Sequence, residues 1–334
     1  MNSNNSASAT GAEGVIEKEP FAKKLKNPNV ILLIAGVVMI AVVAIAIPKF
    51  LALDNIYSIL VQACSTGLMA IGLTFVIITA GIDLSLPTLM ALSGILGCSV
   101  MASTQSIPLG ILVTLGIGAG VGALNGFSVA KLKMVPMIVT LAVATVNMGI
   151  SNWFTGASSV AGMPAAFQTI FAGNVFGIPV QAIFLIVIAV FMHLLLSKTI
   201  FGRQLFQVGV NVQAAKVNGV KTDRITFIIY VISGLMAGIA GVFASAKLNA
   251  AGPSMGPQSS FNDIVCSVVL GGASVMGGKG TILGTLIGSI FIAIISNVMN
   301  LLNVDFFVTY IVKGAIIVLV TFFDVLRNKM SESR

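Results

Sequence analysis

The sequence predicts an all-α fold, a polytopic integral membrane bundle of about ten transmembrane helices with both termini cytoplasmic. Three observations carry that prediction. Hydrophobic residues make up 57% of the 334-residue chain and charged residues only 8%, against roughly 25% charged in soluble domains. Such a chain cannot cover a water-facing surface. Apolar runs recur at about the 20-residue length that crosses a hydrocarbon core. Finally, the basic residues sit in short clusters between alternate apolar runs, as the positive-inside rule requires. A net charge of +8 could also signal nucleic-acid binding, but no single basic face gathers it.

Residues 1–29 are rich in Ser, Asn, Ala and Glu and then acquire Lys18, Lys23, Lys24 and Lys26, which reads as a disordered cytoplasmic tail. The first apolar run, Val30 to Pro48, is long enough to span and is not shaped like a cleaved signal peptide. The candidate spans are 30–48, 57–80, 86–104, 108–130, 136–154, 180–197, 225–246, 262–277, 281–302 and 307–326. The transmembrane region is therefore 30–326, followed by a cytoplasmic tail, 327–334. Residues 155–179 carry Gly and Pro every few positions and read as an external loop with a re-entrant piece. Residues 198–224 form the longest polar stretch after the N-terminus. This arrangement places the tail lysines, Lys131, Lys133, Lys198, Arg203, Lys216, Lys221, Arg224, Lys279, Arg327, Lys329 and Arg334 inside. Only Lys49 and Lys247 fall outside, and Lys313 falls within the last span.

Small residues at close-packing intervals accompany the spans: Gly116, Gly118, Gly120, Gly122 and Gly126; then Gly234, Gly238 and Gly241; then Gly280, Gly284 and Gly288. Such spacings let helix backbones approach closely where lipid supplies no hydrophobic drive. Cys64, Cys98 and Cys266 lie in apolar surroundings and read as small packing residues. Trp153 suits an interfacial anchor, and His193 lies near an inner helix end.

Polar groups within apolar runs are the functional candidates. In Thr79-Ala80-Gly81-Ile82-Asp83-Leu84-Ser85-Leu86-Pro87, Gly81 can end one helix and Pro87 can sit in the first turn of the next. At the membrane surface, Asp83 or Ser85 would simply cap that turn. At depth, the segment would be a broken helix lining a watery path. Asn125, Asn147, Asn297 and Asn300 add neutral donors and acceptors along a solute pathway. Asp263 and Lys313 are further ionisable groups near or in spans, and such groups raise a functional question by default. Amides and hydroxyls suit a neutral polyol, which points to the transport of a small polar solute.

The segment from Gly271 and Gly272 through Gly277, Gly278 and Lys279 to Gly280 is not a P-loop, because Ala273 and Gly280 occupy positions that need Gly and Ser or Thr. It is either a flexible hairpin between two helices or a close-packed hinge against a partner or a gate. No ATPase site is present in the chain, and no His or Cys constellation for a metal or a nucleophilic triad exists, so an enzyme is not expected. Within 198–224, Gln207 to Val220 can form a short helix capped by Asn211 and closed by Gly219, a candidate docking element.

Four of these segments resemble the membrane-spanning permease subunits of bacterial monosaccharide ABC importers of the ribose, xylose and galactose type. They are Gly81-Ile82-Asp83-Leu84-Ser85, where this chain continues with Leu86-Pro87 in place of the family's Val-Gly; Gly202-Arg203 followed by Asn211, Ala214, Ala215 and Gly219; the Gly271–Gly280 loop; and the Asn300-Leu301-Leu302 and Lys313-Gly314-Ala315 region. The resemblance runs from about residue 50 to the C-terminus. It implies a homodimer in the bacterial inner membrane, a separate cytoplasmic ABC ATPase that holds ATP and magnesium, and a periplasmic sugar-binding protein. No cofactor or metal is implied in this chain itself. It also implies that Gly202, Arg203, Asn211, Ala214, Ala215 and Gly219 couple to the ATPase, and that alternating access carries a monosaccharide inward. Family members also move autoinducer, inositol and nucleoside-like solutes. The competing class is a self-sufficient secondary transporter or channel, which the scarcity of ionisable residues at depth disfavours.

Overall fold

The computed structural model describes residues 40–45, 47–305, 307–316 and 318. The predicted N-terminal tail, most of the 30–48 span, the end of the 307–326 span and the C-terminal tail lie outside the described residues. The helices are α1 (Leu53–Ile78), α2 (Leu86–Thr104), α3 (Ile107–Ala130), α4 (Pro136–Thr155), α5 (Ala165–Ala172), α6 (Val180–Lys198), α7 (Ile200–Val210), α8 (Val212–Val217), α9 (Thr222–Leu248), α10 (Ser260–Leu270) and α11 (Ile282–Leu301), followed by α12 (Phe307–Ile316). A two-residue antiparallel pair, Asn174–Val175 with Ile178–Pro179, precedes α6. Among the described residues, seven helices (α1, α2, α3, α4, α6, α9 and α11) are long and apolar enough to cross a membrane.

Two helices make the centre. Every residue of α1 from Gly67 to Ile78 is buried, the signature of a helix hydrophobic on all sides and surrounded by protein. It contacts α6, α9, α10 and α11, while α9 packs on α1, α2 and α3. The outer helices bury one stripe only. On α3 that stripe is Gly110, Thr114, Gly118, Gly122, Asn125, Gly126 and Ala130, small residues mostly four apart. The backbones of Gly118 and Gly122 abut the backbone of Gly234 on α9 so closely that a Cβ at either glycine would meet it. The predicted glycine contacts are therefore real for these residues, whereas Gly116 and Gly120 face open space. Leu112, Leu124 and Phe127, on the opposite side of α3, are exposed, which is the composition of a lipid-facing or subunit-facing surface.

The predicted 262–277 span is shorter in the structure. Helix α10 stops at Leu270, and its 11 residues rise only about 16 Å. Residues 271–281 then form a turn, although their apolar composition matches a span. The physical reason is burial by protein instead of lipid: Gly271 packs on the backbone of Gly284 and Thr285, and Gly288 packs on the carbonyl of Ser267. The helix itself ends because Gly272 turns to φ 85, with the Ala273 amide donating back to the Val268 carbonyl. In the 155–179 loop, α5 packs against α6 and α9 with Phe167 buried, and Val160 bridges Ala251.

One end of the bundle collects the basic loops. The α3–α4 turn holds Lys131 and Lys133, and Lys133 pairs with Asp223 at the start of α9. This exposed ion pair adds little stability, but it brings the α3–α4 and α8–α9 connections to one basic end.

Candidate functional site: a broken helix and the short helices docked on it

The site is built where α1 stops. Its last turn closes with Ala80 at φ 58 and with the Gly81 amide donating to the Val76 carbonyl at 3.1 Å. The left-handed position thus falls on Ala80, one residue before the predicted Gly81. Gly81 is needed for another reason, because a Cβ there would lie 3.0 Å from both Tyr230 Oη and a Val76 methyl. The chain then runs without helix through Asp83 before α2 begins, with Pro87 in its first turn as expected.

Asp83 is fully buried. Its Oδ1 accepts from the Ser85 amide at 3.1 Å and the Ser85 hydroxyl at 2.6 Å, and its Oδ2 accepts from Ser233 Oγ on α9 at 2.8 Å. Asn125 Nδ2 on α3 donates to Ser85 Oγ at 3.0 Å. Thr140 Oγ1 on α4 accepts from the Leu84 amide and lies 3.1 Å from the Ile82 carbonyl. The broken segment is therefore tied to three helices by neutral hydrogen-bonding groups. Ser233 lies about 16 Å along α9 from its first residue, whereas Thr140 and Asn125 lie only about 6 and 8 Å from the basic α3–α4 turn, so the knot is enclosed by protein on the basic-end side of the bundle.

Around the knot some polar atoms have no hydrogen-bond partner: Asn125 Oδ1, Tyr230 Oη and, higher on α4, Asn147 Nδ2. The other predicted pathway amides lie elsewhere. Asn297 exchanges two hydrogen bonds with Asn55, at 2.7 and 3.0 Å, which tie the end of α11 to the start of α1. Asn300 is exposed at the end of α11. Sequence reading missed Ser233 and Thr140. Neither residue type stands out in an apolar helix, although each recurs on the buried face of its helix.

The basic end carries the second half of the site. Thr199 caps α7 by accepting from the Gly202 amide, and Asn211 caps α8 by accepting from Gln213 and Ala214 at 2.9 and 3.0 Å. Gly219 follows α8 at φ 79, so the short helix, its cap and its terminal glycine match the sequence expectation. Ala215 is buried while Arg203 and Ala214 are exposed, and the outward face mixes Arg203, Gln207 and Lys216 with Val210, Val212 and Val217. Gly202 packs against the Leu196 carbonyl.

These helices are joined to the knot. Gly209 of α7 lies against the Ile78 carbonyl, and the Gly278 amide donates to that same carbonyl at 2.8 Å. Gly277 and Gly278 adopt φ 86 and 73, a backbone that L side chains rarely adopt, and a Cβ on Gly277 would come within 3.1 Å of Ala80. The Gly277–Gly278 part of the Gly271–Gly280 segment is thus closely packed against the end of α1 and against α7. Beneath the knot, Thr79, Gly81, Lys133, Lys216 and Tyr230 contribute to a groove of about 210 Å³.

Asp263 near the start of α10 is handled differently. Lys313 Nζ on α12 lies 2.8 Å from its Oδ2, and both side chains are largely buried. Among the described residues no cluster of His, Cys, Asp and Glu could hold a metal ion.

Comparison with known proteins agrees with this architecture. The family described as "Branched-chain amino acid transport system / permease component" matches residues 55–321. The ribose import permease protein of Bacillus subtilis is 39% identical over 86% of this chain and 89% of its own. The D-allose transport system permease protein of Escherichia coli is 34% identical over 84% and 86%. The xylose transport system permease protein of Haemophilus influenzae is 32% identical over 92% and 99%. No solved structure matches the chain. The family's description and the relatives' names differ in solute and agree in role, and the chain belongs to this family of transport-system permease components.

Proposed function

We propose that the chain is the membrane subunit of a bacterial ABC importer for a monosaccharide, with its basic end in the cytoplasm and its opposite end facing a sugar-binding protein. The observation that carries the reading is the direct contact of α7 with the end of α1 at Gly209 and Ile78. The α7–α8 pair offers a partner ATPase an exposed face of mixed polar and apolar residues at the basic end, and any displacement of it bears on the first residues of the broken segment. Four sugar-permease relatives (ribose, allose, xylose and arabinose) support a monosaccharide as the solute.

In this reading two copies of the subunit enclose the path. ATP, held with magnesium on the ATPase, closes the motor and moves the α7–α8 pair. Through Ile78 and the Gly277–Gly278 turn that motion reaches the Asp83 knot, and the path opens alternately on either side of it. Neutral hydroxyls and amides around the knot fit a solute without charge. A pull-down of the tagged subunit in mild detergent tests the partnership. Co-purification of an ATPase whose activity rises with a sugar-loaded binding protein is the expected result. A subunit that emerges alone and transports without ATP contradicts it and restores the secondary-transporter alternative.

A further inference from the structure

Helix α4 carries a polar stripe that the broken segment uses only at one end. Its buried residues are Val139, Thr140, Ala144, Asn147 and Ser151, so Thr140, Asn147 and Ser151 share the face that packs toward α2. Thr140 is bound into the knot. Asn147 Nδ2 and Ser151 Oγ are both buried and have no partner. Ser151 lies 11 residues beyond Thr140, about 16 Å towards the end opposite the basic loops. There it borders a cavity of about 310 Å³, together with Thr88, Asn152, Pro253, Gly256 and Gln258. That volume is at the small end of the ~300–1,000 Å³ typical of small-ligand pockets.

Two of the lining residues are tied to the broken segment. Gln258 Nε2 donates to the Leu84 carbonyl at 3.1 Å, and Thr88 Oγ1 donates to the Ser85 carbonyl at 3.0 Å. Gly256 lies so close to the Pro87 carbonyl that a Cβ would clash with it. Gln258 and Asn152 each spend the amide nitrogen on a backbone carbonyl, Asn152 on that of Met148 at 2.8 Å, and keep the amide oxygen open. Ser151 adds a hydroxyl that can donate or accept. No charged side chain lines the space. A buried polar atom left unpaired costs about 1–3 kcal/mol, so these groups favour an occupant that carries hydroxyls and no charge.

Resting on the permease reading above, we propose that this cavity holds the sugar in transit, with Ser151, Asn152 and Gln258 as its hydrogen-bonding contacts and Asn147 as the next contact on the way to the Asp83 knot. A charged solute would find no counter-charge here. An apolar one would leave the open oxygens unpaired.

The test uses the full assembly of subunit, ATPase and binding protein in proteoliposomes, with labelled D-ribose, D-xylose, D-allose and L-arabinose as probes. Wild-type protein that imports none of them overturns the sugar reading and this site with it. With the imported sugar identified, Asn152→Cys is labelled with a membrane-impermeant thiol reagent; Cys64, Cys98 and Cys266 are buried. The imported sugar is expected to slow labelling at least five-fold, and sucrose to leave the rate unchanged. Labelling indifferent to the imported sugar overturns the site while leaving the permease reading intact. Independently, Ser151→Leu is expected to cut import at least ten-fold while the loaded binding protein still stimulates ATPase activity. Ser151→Thr, which keeps the hydroxyl, is expected to retain most of the import. Wild-type import by Ser151→Leu contradicts the proposal, and if that variant does not accumulate, the labelling result alone decides.

Discussion

Asp83 and Asp263 are both carboxylates placed inside an apolar bundle, and they are held in opposite ways. Asp263 has a cation, Lys313, 2.8 Å away. Asp83, more deeply buried, has an amide and two hydroxyls. A buried ion pair fixes α10 to α12 and is strongly destabilised when one partner is removed. A carboxyl held by neutral donors divides its hold among several bonds, here three from two serines, so that losing one leaves the others in place. The first arrangement suits a strut. The second suits a joint, and it is the one that stands between the cavity and the basic-end groove.

Substitutions can break this contrast or sharpen it. The largest effect is expected from Asp83→Ala, which orphans the Ser85 amide and two hydroxyls and costs on the order of 3–9 kcal/mol if each lost bond is worth about 1–3. Loss of assembly or import, together with a lower apparent Tm in detergent, is the expected reading. Lys313→Met comes next, at about 2–3 kcal/mol once partial solvent access is discounted from the buried-pair value. Adding Asp263→Leu is expected to recover most of that loss. No recovery would mean that Asp263 is more than a strut. Ser233→Ala removes a single donor and is expected to cost about 1–2 kcal/mol while import persists. The smallest effect is Ala80→Gly, which relieves a left-handed residue and is expected to stabilise the protein by about 1 kcal/mol.

The same two carboxylates show what a single chain reveals. The Asn211 cap and the Gly219 terminus were legible because capping is a local matter of a side chain and the next few amides. The enclosure of Asp83 was not, since it depends on Ser233, 150 residues away in sequence. The ending of α10 at Leu270 was misread because an apolar glycine-rich stretch looks the same against lipid as against Gly284. Ser151 left one usable trace, its place on the Thr140–Asn147 face of α4. Gln258, in a Pro- and Gly-rich connection without periodicity, left none.

The most direct test of the account is sugar uptake into proteoliposomes that contain the subunit, its co-purifying ATPase and the binding protein, with ATP either enclosed or omitted. The account predicts that labelled monosaccharide accumulates only when ATP is enclosed and the binding protein is present outside. Uptake that proceeds equally without ATP, or that follows an imposed proton or sodium gradient, would contradict it.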